Sequence, residues 1–183
     1  MWAAFLRALN LGKHSCVSMA TLRHLFAQAG APGALTHRQS GNVVFRSADP
    51  VPVATRVEEA LAALGIRTTV ILRRRDELAA SLAANPFSAA SADPAAIHVV
   101  FLAASPDPPA LSRLSVPPGE TAALAVCGRE VFLHAPPGYS GTKLTGAWLE
   151  RRLGVAATVR KRSVTGEVLD LMDACAGRPD GPA

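Results

Sequence analysis

Two stretches of this chain run through the same order of hydrophobic periods, and that order limits the fold more than any other feature does. In the first, Trp2 to Leu9 is an apolar run of strand length, followed by the loop "NLGKHSCV". Leu22, Leu25, Phe26 and Ala29 then recur at helical spacing behind Ser18, whose hydroxyl suits a helix cap. Gly30 and Pro32 stop that helix. Leu35 to Gln39 and Val43 to Arg46 read as strands. Asp49-Pro50 opens a second helix with Val53, Val57, Leu61 and Leu64 along one side, Gly65 ends it, and "IRTTVILR" is a β-branched strand. The order is βαββαβ.

A short helix, Asp76 to Ala84, and the loop "NPFSAASADP" connect to the second stretch. Ile97 to Leu102 is a strand, and "PDPPALSRL" is a short helix with proline in its first turn. Thr121 to Val126 and Glu130 to His134 form a hairpin across Cys127-Gly128. "PPGYSGTK" leads into a helix from about Thr142, with Leu144, Trp148 and Leu149 on its inner face and Gly154 at its end. "ATVRKR" is the last strand, and "VTGEVLDLMDAC" is a final helix with Val164, Val168 and Leu171 or Met172 facing in. The chain is therefore expected to be α/β (α+β): two tandem ferredoxin-like βαββαβ subdomains plus a C-terminal helix. The expected division is residues 1–87 with the connector helix, residues 95–175, and a disordered tail over 176–183. The two halves share this pattern and almost no sequence.

The 183 residues are 49% hydrophobic, enough to bury a core, and no apolar run reaches the ~20 residues that span a bilayer. Arg7 interrupts the N-terminal apolar run, which does not read as a secretory signal. A cytoplasmic, bacterial protein is expected, the latter from the bias towards Ala, Arg, Gly and Pro. Three cysteines (Cys16, Cys127, Cys175) without a CxxC, and five histidines without an HxxH or HExxH, call for neither a disulfide framework nor a metal site. No cofactor is expected, and no Ser-His-Asp or Cys-His set emerges. The net charge is +5, and it is concentrated. Lys143, Arg151, Arg152, Arg160, Lys161 and Arg162 stand against Glu150 alone between residues 143 and 162, which suits an anionic partner or, equally, a solvated surface.

The βαββαβ plan places polar loops at particular ends. The exit of the first strand, with Asn10 and Gly12, lies at the same end as the turn Gln39-Ser40-Gly41-Asn42. Gly12 and Gly41 can take positive φ and let a ligand or another backbone approach. Gln39 and Asn42 would either face such a ligand or merely satisfy loop amides. In the second half, the helix start after "PPGYSGTK" lies near the end of the last strand. Tyr139, Ser140, Thr142 and Lys143 would there join Arg160 and Arg162, on one strand face by alternation, around the free amides of the helix N-terminus. The loop does not match G-x4-G-K-[ST].

At these residues the chain resembles the DUF1697 family of bacterial proteins of unknown function. "FLRALNLGKHSCVSMATLRHLF" is similar to the family's LRGINVGG opening and the helix start after it. "QSGNVVFRS" resembles its QSGN segment nearly letter for letter, and "PPGYSGTKL" resembles its Gly-x-Ser-Lys loop. The resemblance implies a fold with two ferredoxin-like parts and no established activity. Departures are Ala8 where the family usually has Gly, Ser18 for Pro, Thr142 for Ser, and the loss of a Trp and two Asn around Arg160–Ser163. Arg7, Asn10, Gly12 and the QSGN segment are intact.

The leading functional expectation is binding of a phosphate-bearing ligand, a nucleotide or a nucleic acid, through the basic helix-start loop and strand end. Aromatics are only 5%, which counts against stacking of RNA bases on a sheet. The alternatives are a small-molecule enzyme at the Asn10/Gln39–Asn42 end, with Arg7 for an anionic group, and a purely structural interaction module.

Overall fold

A computed structural model describes residues 1–10, 16–87, 93–136 and 138–177. The first sheet contains β1 (Trp2–Leu6), β2 (Leu35–His37), β3 (Asn42–Phe45) and β4 (Val70–Arg74), in the order β2-β3-β1-β4 with every neighbour antiparallel. Helix α1 (Met19–Gln28) lies between β1 and β2 in the chain, and α2 (Pro50–Ala63) between β3 and β4. Ser18 caps α1 by accepting from the Thr21 amide, and Asp49 caps α2 ahead of Pro50. Alternation along β1 sends Ala4 and Leu6 to the helical side, where they join Val43, Phe45, Leu22, Phe26, Val53, Val57 and Leu61 in one apolar core. The other side of the sheet is also buried, at Ala3, Phe5, Val44, Ile71 and Arg73. Two-sided burial explains why these strands read as unbroken apolar runs.

Helix α3 (Arg75–Ala83) follows β4 without a loop. The second sheet contains β5 (Ile97–Leu102), β6 (Ala123–Cys127), β7 (Glu130–His134) and β8 (Ala157–Lys161), in the order β6-β7-β5-β8, again antiparallel throughout. Helix α4 (Pro108–Ser112) lies between β5 and β6, and α5 (Gly146–Leu153) between β7 and β8. Val100, Leu102, Val131 and Leu133 pack with Leu144, Trp148, Leu149 and Leu153. Helix α6 (Arg162–Ala176) closes the described chain. The fold is thus mixed α+β, with two four-stranded antiparallel sheets and six α-helices among the described residues.

The chain divides into two compact units, Met1–Ala79 with Glu167–Ala183, and Ala80–Gly166. The expected division at residues 87 and 95 gave all of α6 to the second half. Most of α6 instead belongs with the first unit, where side-chain bonds hold it at both ends. Glu167 binds His37 and Arg38, Asp173 pairs with Arg75, and Arg46 donates to the Cys175 carbonyl.

Other boundaries shift for local reasons. β1 stops at Leu6 rather than Leu9 because Ala8 and Asn10 take positive φ, 54° and 57°, and turn the chain out of the sheet. The helix expected from about Thr142 starts at Gly146 instead. Tyr139–Gly141 forms a 3-10 turn, and Thr145 caps α5 by accepting from the Trp148 amide. β8 ends at Lys161, and Arg162 opens α6, so Arg162 is not a strand residue. Gly12 and residues 178–183, most of the expected tail, lie outside the described residues.

Candidate functional site

The end of the first sheet brings two loops together. The Leu6 amide donates to the Gly41 carbonyl at 2.8 Å, joining the exit of β1 to the β2–β3 turn. Gly41 has φ +71°, and a Cβ there would come within 2.9 Å of Leu6 Cβ and 3.1 Å of Leu9 Cδ2. Close backbone approach and a left-handed φ both demand glycine at this position. Asn10 completes the junction. Its Nδ2 donates to the Gln39 carbonyl at 3.0 Å and the Val17 carbonyl at 3.1 Å, and its Oδ1 accepts from the Val17 amide at 2.8 Å. Asn42 is fully buried and donates to the His37 carbonyl at 2.9 Å and Ser40 Oγ at 3.1 Å. Asn10 and Asn42 are therefore the struts of this end, holding loop backbone as Asn does in tight turns. Arg7 is half-buried, with its backbone pinned by the Thr69 carbonyl and the Thr68 hydroxyl. Gln39 and Ser40 are exposed at the tip.

Sequence reasoning missed three residues here. His37 ends β2, and its Nε2 lies 2.6 Å from Glu167 Oε2. Arg38, at φ 55°, forks onto the same carboxylate, Nε to Oε2 at 2.8 Å and Nη2 to Oε1 at 2.7 Å. Arg38 first and His37 second hold the Glu167 carboxyl down at about 2. His37 and Arg38 adjoin the QSGN segment and could have been included on proximity. Glu167 is some 130 residues away in the chain, and no local signal connects it.

The second expected site is differently built. The amides at the helix-start loop already hold an anion, the carboxylate of Glu120. It accepts from the Ala122 amide at 2.8 Å and the Lys143 amide at 2.5 Å, and these bonds lower its pKa. Tyr139 Oη accepts from the Gly146 amide at 3.0 Å, and buried Thr142 accepts from Leu144 at 3.0 Å. Lys143 Nζ donates to the Pro118 carbonyl, and Ser140 is exposed. Arg160 does not join them. It is 8% exposed, binds Thr158 Oγ1 and the Val159 carbonyl, and burial lowers its pKa to about 10. Its neighbour across the sheet is Val99, whereas Lys161 sits opposite His98, whose ring packs on Tyr139 at 4.9 Å. Residues directly opposite share a face, so Lys161, not Arg160, stands on the Tyr139 side. Arg151 and Arg152 lie in the last turn of α5, with Arg152 over the Trp148 ring. The six basic residues between 143 and 162 are thus dispersed over different elements and faces.

Among the described residues, no group of His, Cys, Asp and Glu is placed to hold a metal ion, and no helix is long and apolar enough to cross a membrane. Cys16, Cys127 and Cys175 form no disulfide among the described residues.

No curated protein matches the chain. A solved structure similar to it is that of conserved bacterial protein SP0830 from Streptococcus pneumoniae, with a TM-score of 0.72 and 21% sequence identity over 94% of this chain and 97% of that one. At that identity the likeness shows the fold. A family model described as "Protein of unknown function (DUF1697)" matches residues 1–132, well over half of the chain, and the chain belongs to that family.

Proposed function

We propose that the protein binds a small anionic metabolite, of nucleotide size or less, at the end of the first sheet where the Asn10 loop meets the Gln39–Asn42 turn. One observation carries this reading. All three non-glycine residues with positive φ among the described residues, Ala8, Asn10 and Arg38, fall in these two loops. Left-handed backbone at such residues costs free energy, and strain of this kind collects where a site must be held in one geometry. Arg7 and Arg38 supply positive charge, Arg38 in a fork onto Glu167, and the Gln39 and Ser40 side chains are exposed at the tip. Asn10 and Asn42 take positioning roles, since their side chains are committed to hydrogen bonds within the loops themselves. The bacterial source of the structural neighbour supports the expected bacterial setting, and three cysteines without a disulfide among the described residues suit the expected cytoplasmic one. The two strand orders support a ferredoxin-like plan for each unit.

The test is calorimetric titration with inorganic phosphate, AMP and succinate, comparing the wild-type protein with Gln39→Ala and Arg38→Ala. Saturable heat from one of these anions is expected, weakened at least tenfold in both variants, with Gln39→Ala keeping the wild-type thermal midpoint. Absence of heat from all three, or binding indifferent to both substitutions, overturns the proposal.

A second reading, an enzyme acting at the same end, has its own observation. The His37–Glu167 contact at 2.6 Å is a carboxylate-oriented imidazole, an arrangement suited to general base work. Conversion of a bound ligand, lost in His37→Gln with binding retained, would establish it.

A further inference from the structure

The two sheets present four edges, and three of them are blunted against further pairing. β2 is only three residues long, β4 ends in Arg73 and Arg74, and β8 ends in Arg160 and Lys161. Short strands and charged side chains are the usual devices that keep an edge from recruiting another strand. β6 has neither. Its sequence, Ala-Leu-Ala-Val-Cys, carries no charge, no proline and no glycine, and among the described residues it has one neighbour in the sheet, β7.

The outward groups of this edge follow from the hairpin. β6 and β7 are joined through Gly128-Arg129, with Cys127 opposite Glu130, and Gly128 has φ +60°. A two-residue hairpin turn with glycine first closes on a hydrogen-bonded pair. Cys127, Ala125 and Ala123 therefore direct their backbone groups to β7, and those of Leu124 and Val126 point away from the sheet.

We propose that β6 pairs with β6 of a second copy of this chain, antiparallel about a two-fold axis through Ala125, to give a sheet with four strands from each copy. Four features fit this occupant. The outward groups match, because Leu124 of each copy comes opposite Val126 of the other, and such pairs exchange both of their backbone bonds, about four across the junction. The apolar faces match too. Leu124 and Val126 are half-buried at the margin of the second core, and the pairing sets each against the other's counterpart on the same face. Ala125 meets Ala125, so no like charges oppose one another. Finally, the same register brings the Arg129 end of each hairpin beside Thr121 of the other copy, next to Glu120. An isologous contact of this sort closes on itself and does not propagate into a fibre.

Sedimentation velocity over a concentration series tests this, using wild type, Ala125→Lys, Ala125→Glu and an equimolar mixture of the two variants. Wild type is expected to shift from monomer to dimer with a dissociation constant on the order of micromolar, as suits a small interface. Each variant alone should remain monomeric, because identical charges would stand directly opposite at position 125, and the mixture should recover the dimer. Val126→Pro, which removes only an outward amide, should also be monomeric with its far-UV circular dichroism unchanged. A wild-type protein that stays monomeric throughout overturns the proposal. So does a dimer that survives in the single variants and in Val126→Pro, since it would be formed elsewhere.

Discussion

At the level of single residues, the first-sheet end shows how two substitutions of similar size have opposite signs. Ala8 has φ 54°, a conformation that L residues pay to adopt, and the family pattern that the chain resembles usually has glycine at this position. Ala8 is exposed, so no packing is lost with its methyl. Ala8→Gly should stabilise the protein by roughly 0.5–1 kcal/mol, the relief of backbone strain outweighing the extra freedom of glycine in the unfolded chain. Gly41→Ala meets the same left-handed constraint, and its Cβ would also press on Leu6 Cβ at 2.9 Å, so destabilisation of about 2 kcal/mol or more is expected. Urea denaturation of the two variants checks both signs. A destabilised Ala8→Gly would mean that the alanine is held there by something other than backbone geometry. Gly41 was legible in the sequence because it sits inside a polar turn between two strands. The burial of Asn42 was not, because the same residue type serves equally in exposed turns, and only the sheet places it beneath the tip.

At the level of elements, most strands and helices could be read from hydrophobic period and capping residues, since Ser18, Asp49-Pro50 and Gly154 mark helix ends by local chemistry. The placement of α6 could not. Its apolar face, with Val168 and Met172 buried, says only that it packs, and the bonds assigning it to the first unit come from residues about 100 to 130 positions away. Those bonds predict an acid response. Arg38 and His37 depress the Glu167 carboxyl from 4.5 to about 2 in the folded protein, and Arg75 lowers Asp173 in the same sense. A carboxyl with a depressed folded pKa binds more protons when unfolded, so its contribution is complete above its unfolded value and is lost as pH falls. Stability should therefore decline between about pH 4.5 and pH 2, and Glu167→Gln should flatten that part of the profile while leaving the protein less stable at neutral pH. Urea midpoints measured at a series of pH values read this directly. If the Glu167→Gln profile stays parallel to wild type through that window, the pair does not anchor α6.

For the molecule as a whole, the distribution of charge decides between a nucleic acid and a smaller partner. In the sequence, six basic residues crowd into 20 positions and suggest one phosphate-binding surface. Folding separates them, because β8 alternates its side chains, a helix begins at Arg162, and Arg151 and Arg152 ride in the last turn of α5, about 8–9 Å along the helix from its start. Arg160 goes further and enters the interior, as Arg73 does at the matching position of the first sheet, each donating to the carbonyl just before it. Both arginines begin a run of three basic residues that leads straight into a helix, Arg73–Arg75 and Arg160–Arg162, a correspondence between the halves hidden by their otherwise unlike sequences. Lys143 and Lys161 are the exposed cations that remain near the Tyr139 loop. Two phosphate contacts give a salt slope of magnitude about 2, against 4 to 5 for the undispersed cluster. Labelled single-stranded RNA and duplex DNA should accordingly bind weakly at low salt and not saturably near physiological salt. Lys143→Ala/Lys161→Ala should abolish the residual binding without lowering the thermal midpoint. Arg160→Ala should lower the midpoint and leave binding by the folded fraction unchanged, because its guanidinium is spent on Thr158 and Val159. A slope of 4 or more, sensitive to Arg160→Ala at a temperature where that variant is fully folded, would restore the nucleic-acid reading and place its surface on the opposite face of the second sheet.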